Sequence, residues 1–83
     1  MYVTGWCPYC TRARQLLGTK GVAFREIDVD AVTGARAEMR MRTQRTSVPQ
    51  IFVGERHIGG FDDLKALDAA GGLDPLLATV ARG

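Results

Sequence analysis

Pro8 decides where the first helix of this chain begins. It follows a short β-prone run, Met1 to Thr4, and precedes a stripe of apolar residues at helical spacing: Cys10, Ala13, Leu16 and Leu17, with Arg12, Arg14 and Gln15 on other faces. Proline has no N–H and suits the first helical position, where none is needed. Gly18 or Gly21 is expected to end that helix. Cys7 then stands at the helix's N-terminal edge and Cys10 one turn inside.

The remaining elements follow from pattern. Val22 to Val29 reads as a strand, with imperfect alternation. Val32, Ala35 and Met39 are spaced for a second helix, whose other faces carry Arg36, Glu38, Arg40 and Arg42. Gln50 to Val53 and Arg56 to Ile58 flank Gly54-Glu55, a pair suited to a type II′ hairpin. Phe61, Leu64 and Leu67 mark a third helix ending near Gly71-Gly72. Asp74-Pro75 reads as an N-cap and first residue of a fourth, with Leu76, Leu77 and Val80 on its apolar face. The order β-α-β-α-β-β-α-α predicts an α/β fold, one mixed sheet with helices on its faces. The first crossover should be right-handed, with parallel strands.

At 83 residues the chain fits a single domain, 1–83. Eleven basic residues face nine acidic ones, and a net charge of +2 gives no case for nucleic acid. No run of 18 apolar residues offers a membrane span. The first ten residues lack the basic and apolar regions of a secretion signal, so the expected compartment is the cytoplasm.

Cys7 and Cys10 are the only cysteines. A secreted scaffold of this size would carry more, and a disulfide across so short a loop removes little chain entropy. Zinc wants about four ligands, and beyond the pair only one histidine exists, His57, expected to face solvent on the fourth strand. No metal site is expected. Redox chemistry fits better. Residues three apart are neighbours on a helix. At the helix edge, unpaired backbone N–H groups and the positive dipole end favour a thiolate at Cys7. Cys10 should be more buried and a more ordinary thiol. Cys7 would attack a disulfide sulfur, and Cys10 or an external thiol would resolve the mixed disulfide.

Cys7-Pro8-Tyr9-Cys10 resembles the C-P-Y-C active site of dithiol glutaredoxins. Three further blocks carry the resemblance across nearly the whole chain: Ser47-Val48-Pro49, like the family's T/S-V-P with its cis-proline facing the cysteines; Gly59-Gly60-Phe61-Asp62-Asp63-Leu64, like G-G-x-D-D-L; and Ala70 to Leu77, like the ending of small bacterial glutaredoxins. The resemblance implies a thioredoxin-like fold with a four-stranded mixed sheet and helices on both faces. It implies a monomer that reduces protein disulfides and protein–glutathione mixed disulfides, with glutathione as co-substrate and no permanently bound cofactor. Carried over by position, Val48 would pair its backbone with the cysteinyl part of glutathione, Ser47 and Pro49 would belong to the same glutathione site, and Tyr9 would line the groove. Arg45 would meet the glycine carboxylate, and Gly60, Phe61 and Asp62 would hold the γ-glutamyl end. A guanidinium suits a carboxylate, and a helix start offers N–H groups to an anion.

Three positions depart from the family pattern. Thr4 stands where a lysine is common, Trp6 where a small polar residue is common, and Phe61 where relatives often carry a further cysteine. Two other roles occur among such proteins. One is a hydrogen donor to ribonucleotide reductase fed by thioredoxin reductase, which usually lacks the pattern that Arg45 and Asp62 complete. The other is an iron–sulfur carrier dimer, against which Pro8 counts.

Overall fold

The computed structural model describes residues 1–81. Eight elements follow in the expected order: β1 (Tyr2–Val3), α1 (Pro8–Thr19), β2 (Ile27–Asp28), α2 (Ala35–Thr43), β3 (Ile51–Val53), β4 (Arg56–Gly59), α3 (Phe61–Ala69) and α4 (Leu73–Ala81). β1 pairs with β2 in parallel, and β3 with β4 antiparallel. These are two two-stranded ladders rather than one continuous four-stranded sheet. A single antiparallel bridge joins them: Tyr2 and Gln50 exchange both backbone bonds, at 2.9 and 3.1 Å. Pro49, next to Gln50, has no N–H with which to extend that pairing.

Strand alternation sends neighbouring residues to opposite faces. On one face Ile51 packs with Ala13 and Leu17 of α1, Leu64 of α3 and Leu73 of α4. On the other, Tyr2 packs with Val29 and with Ala35 and Met39 of α2, and Phe52 covers them. Helices thus lie on both faces. Lys20, capping the end of α1, reaches Asp68 at 2.7 Å and Asp74 at 3.0 Å, tying α1 to the last two helices.

Three sequence expectations shift. The strand over Val22 to Val29 shrinks to Ile27–Asp28. Its ladder takes in the Ile27 N–H on the Met1 carbonyl and the Val29 N–H on the Val3 carbonyl, and residues 22–26 are not part of it. Val32 is half exposed and precedes α2, which starts only at Ala35 behind Gly34 with φ 81°. α4 begins at Leu73, which places Asp74 and Pro75 inside the first turn instead of at its cap. Proline is tolerated there because first-turn N–H groups lack helical partners anyway. Val80 lies outside the residues whose side chains are described. The hairpin holds as expected: Gly54 has φ 61°, and Glu55 is not left-handed.

Candidate active site

Cys7 is the N-cap of α1. Its backbone is extended (φ −154°, ψ 109°), and Pro8 takes the first helical position. The Cys7 Sγ accepts the backbone N–H of Cys10 at 3.3 Å, the bond by which a polar cap satisfies one of the orphan donors of a helix start. The sulfur is partly exposed, whereas Cys10 is wholly buried. Burial, then a hydrogen bond to Cys7, push the Cys10 thiol up to about 11. Both cysteines are free thiols.

Opposite Cys7 lies the segment before β3. The Val48 carbonyl is 3.9 Å from the Cys7 Sγ, within reach of the thiol proton. The Val48–Pro49 bond is cis, and Pro49 is buried. Ser47 is exposed and Val48 half-buried. The start of α3 forms the third wall. Gly60 caps it, and the Gly60 N–H donates to the Asp63 carboxylate at 2.9 Å. Asp63 also holds the Arg45 guanidinium at 3.0 Å. The Gly60 bond first, and Arg45 second, keep the Asp63 carboxyl below the usual range. Asp62 is exposed, and the capping falls to its neighbour.

Aromatic residues flank Cys7 in the chain. Tyr9 is half exposed, its ring 6.5 Å from that of Phe61 and 5.4 Å beneath the Arg12 guanidinium. Trp6 is 85% exposed. A concavity of about 670 Å³ is lined by Leu17, Phe24, Ile27, Phe52 and Leu77 and includes neither cysteine.

Four contributors to this arrangement escape a reading by residue type. Asp63 was legible only by its spacing, three residues after Gly60, as in a capping box. The Thr43 hydroxyl accepts the Arg45 N–H at 3.1 Å and donates to the Met39 carbonyl at 2.7 Å, fixing where Arg45 leaves α2. Gln50 is wholly buried and reaches back to Ser47. His57, expected at the solvent face, is instead half-buried, 2.8 Å from the Gln50 amide oxygen. No cluster of metal-ligating side chains occurs among the described residues.

The glutaredoxin family model matches residues 1–58. The chain belongs to the glutaredoxin family. It is 57% identical to glutaredoxin 3 of Escherichia coli K12 over 77 residues, 93% of each chain. It is 55% identical to a glutaredoxin of Pseudomonas aeruginosa over 78 residues, 94% of this chain and 93% of that one. Among solved structures it superimposes with a TM-score of 0.90 on a buckwheat glutaredoxin–glutathione complex, at 28% identity and covering 96% of this chain and 76% of that one. The fold is thus thioredoxin-like, and this glutaredoxin is a dithiol oxidoreductase with Cys7 and Cys10 as its cysteine pair.

Proposed function

We propose that this glutaredoxin reduces glutathione mixed disulfides and protein disulfides with glutathione as electron donor. The observation that carries the proposal is the asymmetry of the pair: Cys7 Sγ, capped by a backbone N–H and open to solvent, above a buried Cys10 thiol. The Cys7 thiolate attacks the glutathione sulfur of a mixed disulfide. An S–S bond forms between Cys7 and glutathione, and the target leaves as a thiolate that takes up a proton. A second glutathione thiolate then attacks the adduct, releasing glutathione disulfide and restoring Cys7. With a protein disulfide, Cys7 bonds one target sulfur. Cys10 loses its proton and displaces the target, leaving a Cys7–Cys10 disulfide and a reduced dithiol. Two glutathiones then reduce that disulfide.

The groove suits the tripeptide. The Ser47–Val48–Pro49 edge faces Cys7 and would hold the cysteinyl part, with Tyr9 along the wall. Arg45 would receive the glycine carboxylate. The N–H groups at Gly60–Phe61 and the exposed Asp62 carboxylate would receive the γ-glutamyl carboxylate and ammonium. That a structural relative was solved as a glutathione complex supports this choice. In this reading the protein works as a monomer in the reducing cytoplasm, on disulfide-bearing or glutathionylated proteins, with ribonucleotide reductase one candidate target.

The test is turnover of a glutathione mixed disulfide with two electron sources. Turnover with glutathione and glutathione reductase supports the proposal. Turnover with thioredoxin reductase alone would assign the chain to the other donor class. A visible cluster spectrum in freshly purified protein, without turnover, would point to a cluster carrier.

A further inference from the structure

Gln50 directly follows Pro49, and its backbone is pinned to Tyr2 by the bridge that joins the two ladders. Its side chain turns back on the loop. The amide Nε2 donates to the Ser47 carbonyl at 2.9 Å and lies 3.4 Å from the Ser47 hydroxyl. A carbonyl only accepts, so the amide nitrogen has to face Ser47 and the amide oxygen has to face away. That oxygen lies 2.8 Å from His57 Nε2, so Nε2 has to carry a hydrogen. The His57 ring is held for this bond by Phe52, its cross-strand partner, 5.0 Å away. Burial first, then Arg45, push His57 below the ordinary imidazole pKa, so the ring is neutral near pH 7. It then holds its one hydrogen on Nε2 and leaves Nδ1 bare.

We propose that His57 is a positioning residue for the thiol–disulfide exchange: its Nε2–H orients the buried Gln50 amide, which in turn fixes the Ser47–Val48 backbone opposite Cys7. The role rests on the proposal that this backbone edge pairs with the cysteinyl part of glutathione. It follows from donor and acceptor accounting. Without His57, the Gln50 oxygen is a buried acceptor with no partner, which is costly. The amide then gains by turning toward water or another donor, and the Ser47 carbonyl loses its anchor. The segment beside the sulfur, from Ser47 to the Val48 carbonyl 3.9 Å from Cys7 Sγ, is the one released.

Two variants and one spectrum test this. His57→Phe keeps a ring against Phe52 and removes the donor. His57→Gln restores an amide donor without the ring. The expected result is a KM for a glutathione mixed disulfide raised about fivefold in His57→Phe, the scale of one net hydrogen bond. Its kcat should stay within about twofold of the parent, since the chemistry at Cys7 is untouched. His57→Gln should recover a large part of the KM change. In the unsubstituted protein, ring nitrogen NMR shifts should show the Nε2–H tautomer, a readout independent of activity and of any variant's folding. A Nδ1–H tautomer, or a folded His57→Phe protein with the parental KM, would overturn the role. If the parent protein shows the Nε2–H tautomer but does not turn over the mixed disulfide, the substrate reading falls, and this role with it.

Discussion

The Cys7 sulfur accepts a hydrogen bond from the backbone N–H of Cys10, 3.3 Å away, while the Cys10 side chain lies wholly buried beneath it. One residue thus serves the other twice. Cys10 lends its N–H to the attacking sulfur and holds its own thiol in reserve. The bond comes from helix geometry: an N-cap side chain faces the N–H of the third helical residue, and C-x-x-C spacing makes that residue the second cysteine.

The first expectation concerns reactivity. Burial and the bond to Cys7 push the Cys10 thiol up to about 11, so Cys10 remains protonated through neutral pH. The thiolate is the nucleophile. Brief iodoacetamide treatment near pH 7 should label Cys7 and leave Cys10 unmodified, as read by peptide mass mapping. Equal labelling of the two would contradict the asymmetry.

Arg45 and Asp62 are exposed, and both are assigned to the proposed glutathione groove. Arg45→Ala and Asp62→Ala should each raise the KM for glutathione by about tenfold, because a charge-assisted bond contributes roughly 1.5–3 kcal/mol. Folding stability should change much less: about 0.5 kcal/mol or under for an exposed site, and at most about 1 kcal/mol for the exposed Arg45–Asp63 pair. Steady-state kinetics and urea melts on both variants separate the effects. An unchanged KM in both would place the groove elsewhere.

Gly59 has φ 121°, and a Cβ there would lie 2.3 Å from the Asp63 carboxylate oxygen that caps α3. Gly59→Ala should therefore cost about 1–3 kcal/mol, through backbone strain and loss of the cap. Gly18 offers the contrast. It sits inside α1 with nothing within 4 Å of a new Cβ, so Gly18→Ala should stabilise by about 0.5–1 kcal/mol. Thermal melts of the two single variants should move in opposite directions.

Asp63 gives the fold an acid-sensitive clasp. Its carboxyl is held below the usual value, first by the Gly60 N–H and then by Arg45. The folded pKa lies below the unfolded one, so the carboxylate's contribution is complete above the unfolded value and fades as pH falls through the folded one. Between roughly pH 5 and pH 3, the range where carboxylates titrate, the parent protein should lose more stability than Asp63→Asn. Parallel acid limbs in the two proteins would show that Asp63 is not the clasp.

Much of the architecture was legible because local signals agreed. Pro8 placed the start of α1, Gly54 placed the hairpin, and the stripe through Ala13 and Leu17 named the face that packs on Ile51 and Leu64. The misreadings came where tertiary partners decide. Val22 to Val29 has strand composition, but only Ile27 and Asp28 pair in register with β1. Val32 has the right spacing for α2, but Gly34 starts the helix after it. At the site, the cysteine pair was legible from spacing. The second layer was not: Gln50, just before β3, and His57, in β4, are seven positions apart, and only the hairpin brings an amide oxygen to a ring nitrogen. Asp63 and Arg45, 18 positions apart, meet for the same reason.

The most direct test of the account is the pair Cys7→Ser and Cys10→Ser, each treated with a glutathione-modified peptide and read by intact mass and by turnover. Cys10→Ser should take one glutathione, on Cys7, and keep reducing the mixed disulfide, because free glutathione replaces the buried thiol in the second step. Cys7→Ser should take none and show no turnover. Glutathione carried on Cys10 in the Cys7→Ser protein, with turnover retained, would contradict the assignment of Cys7 as the attacking sulfur.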